Sequence, residues 1–160
     1  MKDSIIIAPH ADDEIIGCYP ILTNPDIKPI IIYTEEMDEE RKEETLRLKD
    51  HIPIKVQLYL QSIPPNLLKP EDKNKFYFPH PIYETHPAHR MQGIIGESLA
   101  RVGYDVTFYS TEMNVPFKYA CQRPNGKLEL LNNVYPSQKS LWEYEHKYFL
   151  WNAFDKWVFK

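Results

Sequence analysis

The sequence predicts an α/β fold with a mostly parallel sheet. Three observations predict it. Short apolar runs recur at 5–8 and 29–33, as strands buried on both faces require. Charged, helix-favouring stretches separate them. The first run ends directly in Pro9-His10-Ala11-Asp12-Asp13-Glu14, polar residues at the carboxyl end of a strand, where open α/β sheets place their sites.

Taken in order, residues 4–8 form the first strand, and 14–22 a short helix that Pro20 limits at its C-terminal end. Residues 29–33 form a second buried strand. Residues 35–50, rich in Glu, Lys and Arg with Leu46 among few apolar positions, predict an exposed, charge-laced helix supported by pairs such as Glu43 with Arg47. A third strand is expected at 55–60. Six prolines between 61 and 87 predict a long functional loop. A helix follows at 92–101, stopped near Gly103, and then a fourth strand at 105–110. Pro124-Asn125-Gly126 between 118–122 and 127–131 predicts a hairpin. The aromatic stripe from Trp142 to Trp157 predicts a core-packing helix over 140–159. Strand, helix, strand, helix, strand places helices over both faces of the sheet. The whole reads as one domain over 1–160: a Rossmann-like three-layer sandwich closed by a C-terminal hairpin plus helix.

Composition limits the function. The chain has 160 residues, 42% hydrophobic and 26% charged, which are globular values. A net charge of -4 argues against a general nucleic-acid partner, which leaves a basic footprint. The N-terminal apolar run is too short for a signal peptide, and no transmembrane segment is expected. Two cysteines without a CxxC pair, Cys18 and Cys121, point to a reducing, cytoplasmic setting. Neither GxGxxG nor a P-loop string supports nucleotide binding. The C-terminal aromatic surplus leaves room for a homo-oligomer.

The chemistry-bearing residues fall in two clusters. His10 and Asp13, three apart at a turn entering a helix, can converge on one metal ion, leaving Asp12 free to act on water. Alternatively, Asp12, Asp13 and Glu14 serve as helix-start acids only. The second cluster is Thr85-His86-Pro87-Ala88-His89. Pro87 keeps His86 out of helical geometry, so both histidines lie on a loop or at a helix mouth. They are then a third ligand from a distant segment, or a pair of surface histidines. His51, His80 and His146 read as surface or structural, and Cys18 as a small buried residue.

These strings resemble the LmbE-like (PIG-L type) family of N-deacetylases. Pro9-His10-Ala11-Asp12-Asp13-Glu14 with Gly17 resembles its first signature. Thr34, Arg41 and Glu44 resemble its threonine and RxxE element. His86-Pro87-Ala88-His89 resembles its HPDH motif, and Tyr135 to Gln138 its late tyrosine-x-x-Gln element. The resemblance implies zinc (Zn2+) held by His10, Asp13 and His89. It implies Asp12 as general base toward the metal-activated water, and His86 as stabiliser of the oxyanion or acid toward the leaving amine. The implied substrate is a small molecule, an N-acetylated sugar conjugate of the N-acetylglucosamine type. Arg41 is expected to contact its polar groups, and Gln138 is a further candidate contact. Glu44 pairs with Arg41 or is solvated. Two departures stand out. Ala11 replaces a proline, and Ala88 replaces an acid expected to support the metal ligands, whose loss costs about 10–100-fold in affinity or activity in comparable sites. A non-catalytic carbohydrate- or metal-binding protein on a degenerate scaffold is the competing expectation.

Overall fold

The computed structural model describes residues 2–57, 63–112, 114–143 and 150–156. Its strands form one sheet in the order β3-β2-β1-β4-β5-β7-β6. β1 (Ser4–Ala8), β2 (Ile30–Tyr33), β3 (Lys55–Gln57), β4 (Lys75–Pro79) and β5 (Asp105–Tyr109) run parallel. β7 (Trp151–Lys156) is antiparallel to both β5 and β6 (Lys118–Ala120). The expected α/β fold with a mostly parallel sheet is present.

Strand alternation builds two cores. Ile6, Ala8, Ile31, Tyr33, Tyr77 and Tyr109 face α1 (Asp13–Leu22), α2 (Glu39–His51) and α4 (Pro124–Val134). Ile5, Ile7, Ile30, Ile32, Phe76, Phe78 and Phe108 form the second core with Ala100 and Leu99 of α3 (Pro87–Arg101). Every residue of β2, and all of β1 after Ser4, is buried, which explains the unbroken isoleucine runs.

Two glycines mark close approaches. A Cβ on Gly17 would lie 2.2 Å from the Tyr109 ring, so α1 can sit on the sheet only without a side chain there. A Cβ on Gly93 would lie 2.6 Å from the Pro81 backbone, which brings α3 down onto the chain leaving β4.

Three expectations need correction. The span 61–87 is not one long loop: it contains two 3-10 turns and β4, a central strand between β1 and β5. The prolines flank Phe76-Tyr77-Phe78, whose aromatic rings suit a pleated, buried surface. The 124–126 segment is a helix start, not a hairpin turn. Pro124 occupies the first turn of α4, where its missing N–H costs nothing, and Lys127, Leu131 and Val134 follow at helical spacing on the buried face. β6, within the expected 118–122, pairs instead with β7, and α4 and α5 (Ser140–Glu143) lie between them. Of the expected 140–159 helix, the described residues 140–143 and 150 are helical, Trp151–Lys156 is a strand, and 144–149 and 157–159 lie outside the described residues. Residues 151–153 pair with β6 and 154–156 with β5, so each residue of that strand has a ladder partner. Residues 58–60 of the expected third strand, and His146, lie outside the described residues.

Smaller differences have local causes. α2 starts at Glu39 because Asp38 caps it, its carboxylate accepting the Arg41 N–H at 2.9 Å. α3 starts at Pro87, with the His86 Nδ1 accepting the Ala88 N–H at 3.1 Å. α1 runs through Pro20 to Leu22 with a kink at Cys18.

Candidate metal centre

β1 and β4 are neighbours in the sheet, yet the chain leaves β1 toward β2 on one side and β4 toward β5 on the other. The crevice at their carboxyl ends is the topological switch point of the sheet. His10, Asp12 and Asp13 follow β1 there; Glu84, His86 and His89 follow β4.

The loop after β1 is held under strain. Asp12 has φ 96°, the left-handed region that a non-glycine residue adopts only when its surroundings impose it. The imposing contacts are carboxylates that accept backbone N–H groups. Asp13 Oδ2 takes the His10 N–H at 2.8 Å, and Glu14 Oε2 takes the Asp12 N–H at 3.0 Å. Glu14 is fully buried and receives the Tyr135 hydroxyl on its other oxygen. Burial pushes its pKa up to about 7, against the opposing effect of that hydrogen bond. Arg41 closes the loop from α2: its Nη2 donates to the Ala11 carbonyl and lies 3.7 Å from Asp12 Oδ2.

The result is a triangle of ligand atoms. His10 Nδ1 lies 3.4 Å from Asp13 Oδ2, His89 Nε2 lies 3.0 Å from the same oxygen, and the two nitrogens are 3.1 Å apart. Metal–ligand bonds near 2 Å at tetrahedral angles put ligand atoms about 3.3 Å apart. The donor set therefore fits one small divalent ion, and the His10–Asp13–His89 cluster could hold a metal. Electrostatics agree. Burial works against charge on His89, but Asp13 and Glu84 overcome it and raise its pKa to about 10. Burial also opposes the Asp13 carboxylate, yet His89 and His10 hold its pKa well below the usual range. A proton on His89 thus occupies the place of positive charge that a metal would take.

Asp12 lies beside this triangle without belonging to it. Burial, with the neighbouring Asp13 charge, pushes its carboxyl well above the usual carboxylate range, and Arg41 opposes the shift. His86 is exposed, its ring centroid 4.6 Å from that of His10. Burial and the two neighbouring histidines lower its pKa. Because its Nδ1 accepts a backbone N–H, the neutral ring carries its proton on Nε2. A cleft of about 410 Å³ opens over the cluster, lined also by Ile16, Arg41, Thr85, Thr111, Glu112, Gln138 and Leu141. A larger cleft, about 650 Å³, lies between Tyr19, Tyr119, Cys121 and Arg123, away from the triangle.

All seven expected site residues thus border one cleft. Arg41 is brought there, but its contacts hold the Ala11–Asp12 loop. Gln138 sits at the rim, its amide donating to Ser137 Oγ at 3.3 Å. Glu44 is neither solvated nor paired with Arg41: it is buried, and its carboxylate accepts the Ser137 N–H at 2.9 Å and hydroxyl at 2.7 Å. This fastens the turn carrying Tyr135 and Gln138 to α2. His80 is structural, with Nε2 3.0 Å from Asp155 and Nδ1 accepting the Ile82 N–H.

Sequence reasoning missed Glu84, which is 1% exposed and lies beside His89. No local signal could have found it, since its partners Ser110 and Thr111 stand beyond the next helix. Compared with protein-family models, curated proteins and solved structures, the chain has no match.

Proposed function

We propose that this protein is a zinc-dependent hydrolase that removes an acetyl group from an N-acetylated sugar of the N-acetylglucosamine type, or from a related amide. The observation that carries the proposal is the ligand triangle of His10, Asp13 and His89 with a buried carboxylate, Asp12, left over beside it. The strand order and the helices over both faces support a Rossmann-like three-layer sandwich as its scaffold.

His10, Asp13 and His89 would hold the ion. Zinc so held supplies a water of near-neutral pKa and polarises an amide carbonyl. Asp12 takes the proton of the attacking water, and burial with the neighbouring Asp13 charge raises its affinity for that proton. Asp12 stands outside the ligand set that Asp13 joins, with its Oδ2 3.7 Å from Arg41 Nη2. His86, on the exposed side of the cleft, presents Nε2–H toward the developing oxyanion or the departing amine. Arg41 positions Asp12 through Nη2, and the rest of its guanidinium contacts polar substrate groups.

A non-catalytic binding protein is the second reading, and Asp12 separates the two, because a binder needs no base beside its ligands. Elemental mass spectrometry of the wild type and His10→Ala tests the metal. Stoichiometric zinc in the first and none in the second is the expected result. Asp12→Ala should then retain zinc and lose hydrolysis of N-acetylglucosamine conjugates. A variant as active as the wild type would remove Asp12 from the role of base. No uptake of zinc after reconstitution would overturn the hydrolase reading.

A further inference from the structure

We infer that Glu84 is the positioning residue of the centre: it fixes the His89 ring so that Nδ1–H faces Glu84 and Nε2 faces the metal. The inference rests on the metal reading above and adds to it a residue outside every motif that suggested the site.

The geometry is specific. The Glu84 side chain is 0% exposed, on the loop between β4 and α3. A buried ionised carboxylate accepts hydrogen bonds and donates none. Oε1 accepts the Thr111 N–H at 2.9 Å. The Thr111 hydroxyl lies 3.2 Å from both oxygens, and the Ser110 hydroxyl 3.4 Å from Oε2. These donors come from the chain leaving β5, so they hold Glu84 independently of α3. The same Oε1 stands 3.4 Å from His89 Nδ1. An acceptor facing Nδ1 requires the N–H there, which leaves the Nε2 lone pair directed at the point shared with His10 Nδ1 and Asp13 Oδ2. Carboxylate, imidazole and metal in this order constitute the arrangement that raises ligand basicity and locks the ring.

This explains how the second motif tolerates Ala88. An acid there is unnecessary for His89, because its second nitrogen is already taken by Glu84. What residue 88 contributes is its backbone N–H, donated to His86.

The test compares wild type, Glu84→Gln and Glu84→Ala. Zinc affinity is read by chelator competition, and ring protonation by long-range 1H–15N spectra of histidine-labelled, zinc-loaded protein. Glu84→Gln can keep the fold: its amide oxygen can accept from Thr111 and His89 while its NH2 group meets the two hydroxyls. It should bind zinc about tenfold more weakly, and Glu84→Ala up to about 100-fold more weakly. In the wild type, the spectra should show the His89 proton on Nδ1 and metal on Nε2. Glu84→Ala should lose the downfield, hydrogen-bonded Nδ1–H signal, which a merely structural role for Glu84 would leave in place. If Glu84→Ala fails to fold, Glu84→Gln and the wild-type spectrum decide the matter. Wild-type affinity in Glu84→Gln, or metal on Nδ1 of His89, overturns the inference while leaving the metal site intact. Absence of zinc from the wild type itself overturns the metal reading and the inference with it.

Discussion

The molecule buries two kinds of polar cluster, and they differ in what they lack. At the carboxyl end of β1, Asp13, His10 and His89 crowd their lone pairs toward one point, under an open cleft. Beneath α4, Lys127 is fully buried and already holds neutral acceptors. Its Nζ donates to the Trp151 carbonyl at 2.9 Å and to Asn152 Oδ1 at 3.3 Å, bolting α4 to β7. A cation satisfied by neutral acceptors is a structural joint. Ligand atoms gathered about 3 Å apart, which share a proton where a metal could sit, could hold a cation. The contrast matters because both clusters carry displaced pKa values: His89 is raised to about 10, and burial lowers Lys127 to about 8. Displacement alone does not mark function; the missing partner does.

The largest effect should separate the two clusters outright. His89→Ala removes one of three ligands, and zinc uptake should fall below detection by elemental mass spectrometry. Lys127→Met should leave uptake stoichiometric. Loss of zinc in both variants would mean that the two clusters are not independent.

Stability should register both clusters. Lys127→Met leaves the Trp151 carbonyl and Asn152 amide without their buried donor, at a cost of about 1–3 kcal/mol in urea unfolding. His89→Ala in metal-free protein leaves the buried Asp13 and Glu84 carboxylates without their cation, and near neutral pH should cost at least as much as Lys127→Met.

A third consequence concerns pH in the metal-free protein. His89 has a raised folded pKa, so its stabilisation is complete below the unfolded value of 6.5 and is lost as pH rises through about 10. Lys127 has a depressed one, so its penalty is absent above 10.5 and grows as pH falls through about 8. The two slopes oppose each other between pH 8 and 10. Lys127→Met should therefore lose stability with rising pH more steeply than the wild type, and His89→Ala less steeply. Urea midpoints across that interval, with chelator present, read both. Parallel slopes in all three proteins would show that neither group carries the effect.

The same contrast governs what could be read from the sequence. The metal cluster was legible because its residues sit in two compact strings, each beside a strand end or a proline. Buried parallel strands announced themselves through isoleucine runs. β4 did not, because six prolines between 61 and 87 outweighed Phe76-Tyr77-Phe78. α4 was hidden by Pro124-Asn125-Gly126, which serves a turn and a helix start equally well. Its period of Lys127, Leu131 and Val134 was present but begins with a residue type that is rarely buried. The supports of the site were the least legible. Glu84, Glu44 and Tyr135 act across 26 to 121 positions of chain, on Ser110, Ser137 and Glu14. Long-range pairing leaves no local pattern.

The smallest effect is expected at residue 88, and it is informative for that reason. An acid restored there by Ala88→Asp would stand in the first turn of α3, where negative charge favours the helix dipole by about 0.3–1 kcal/mol. It would also lie near His86, whose pKa burial and the neighbouring histidines now depress. It would find no free nitrogen on His89, since Nδ1 faces Glu84 and Nε2 faces Asp13. Zinc affinity in the chelator assay should therefore change by less than about threefold, well short of the loss that follows when a ligand's supporting partner is removed. The urea midpoint should rise slightly, and the His86 ring should titrate at higher pH. A tenfold gain in zinc affinity would instead mean that His89 lacks a supporting acid in the native protein, and that the Glu84 contact does not supply one.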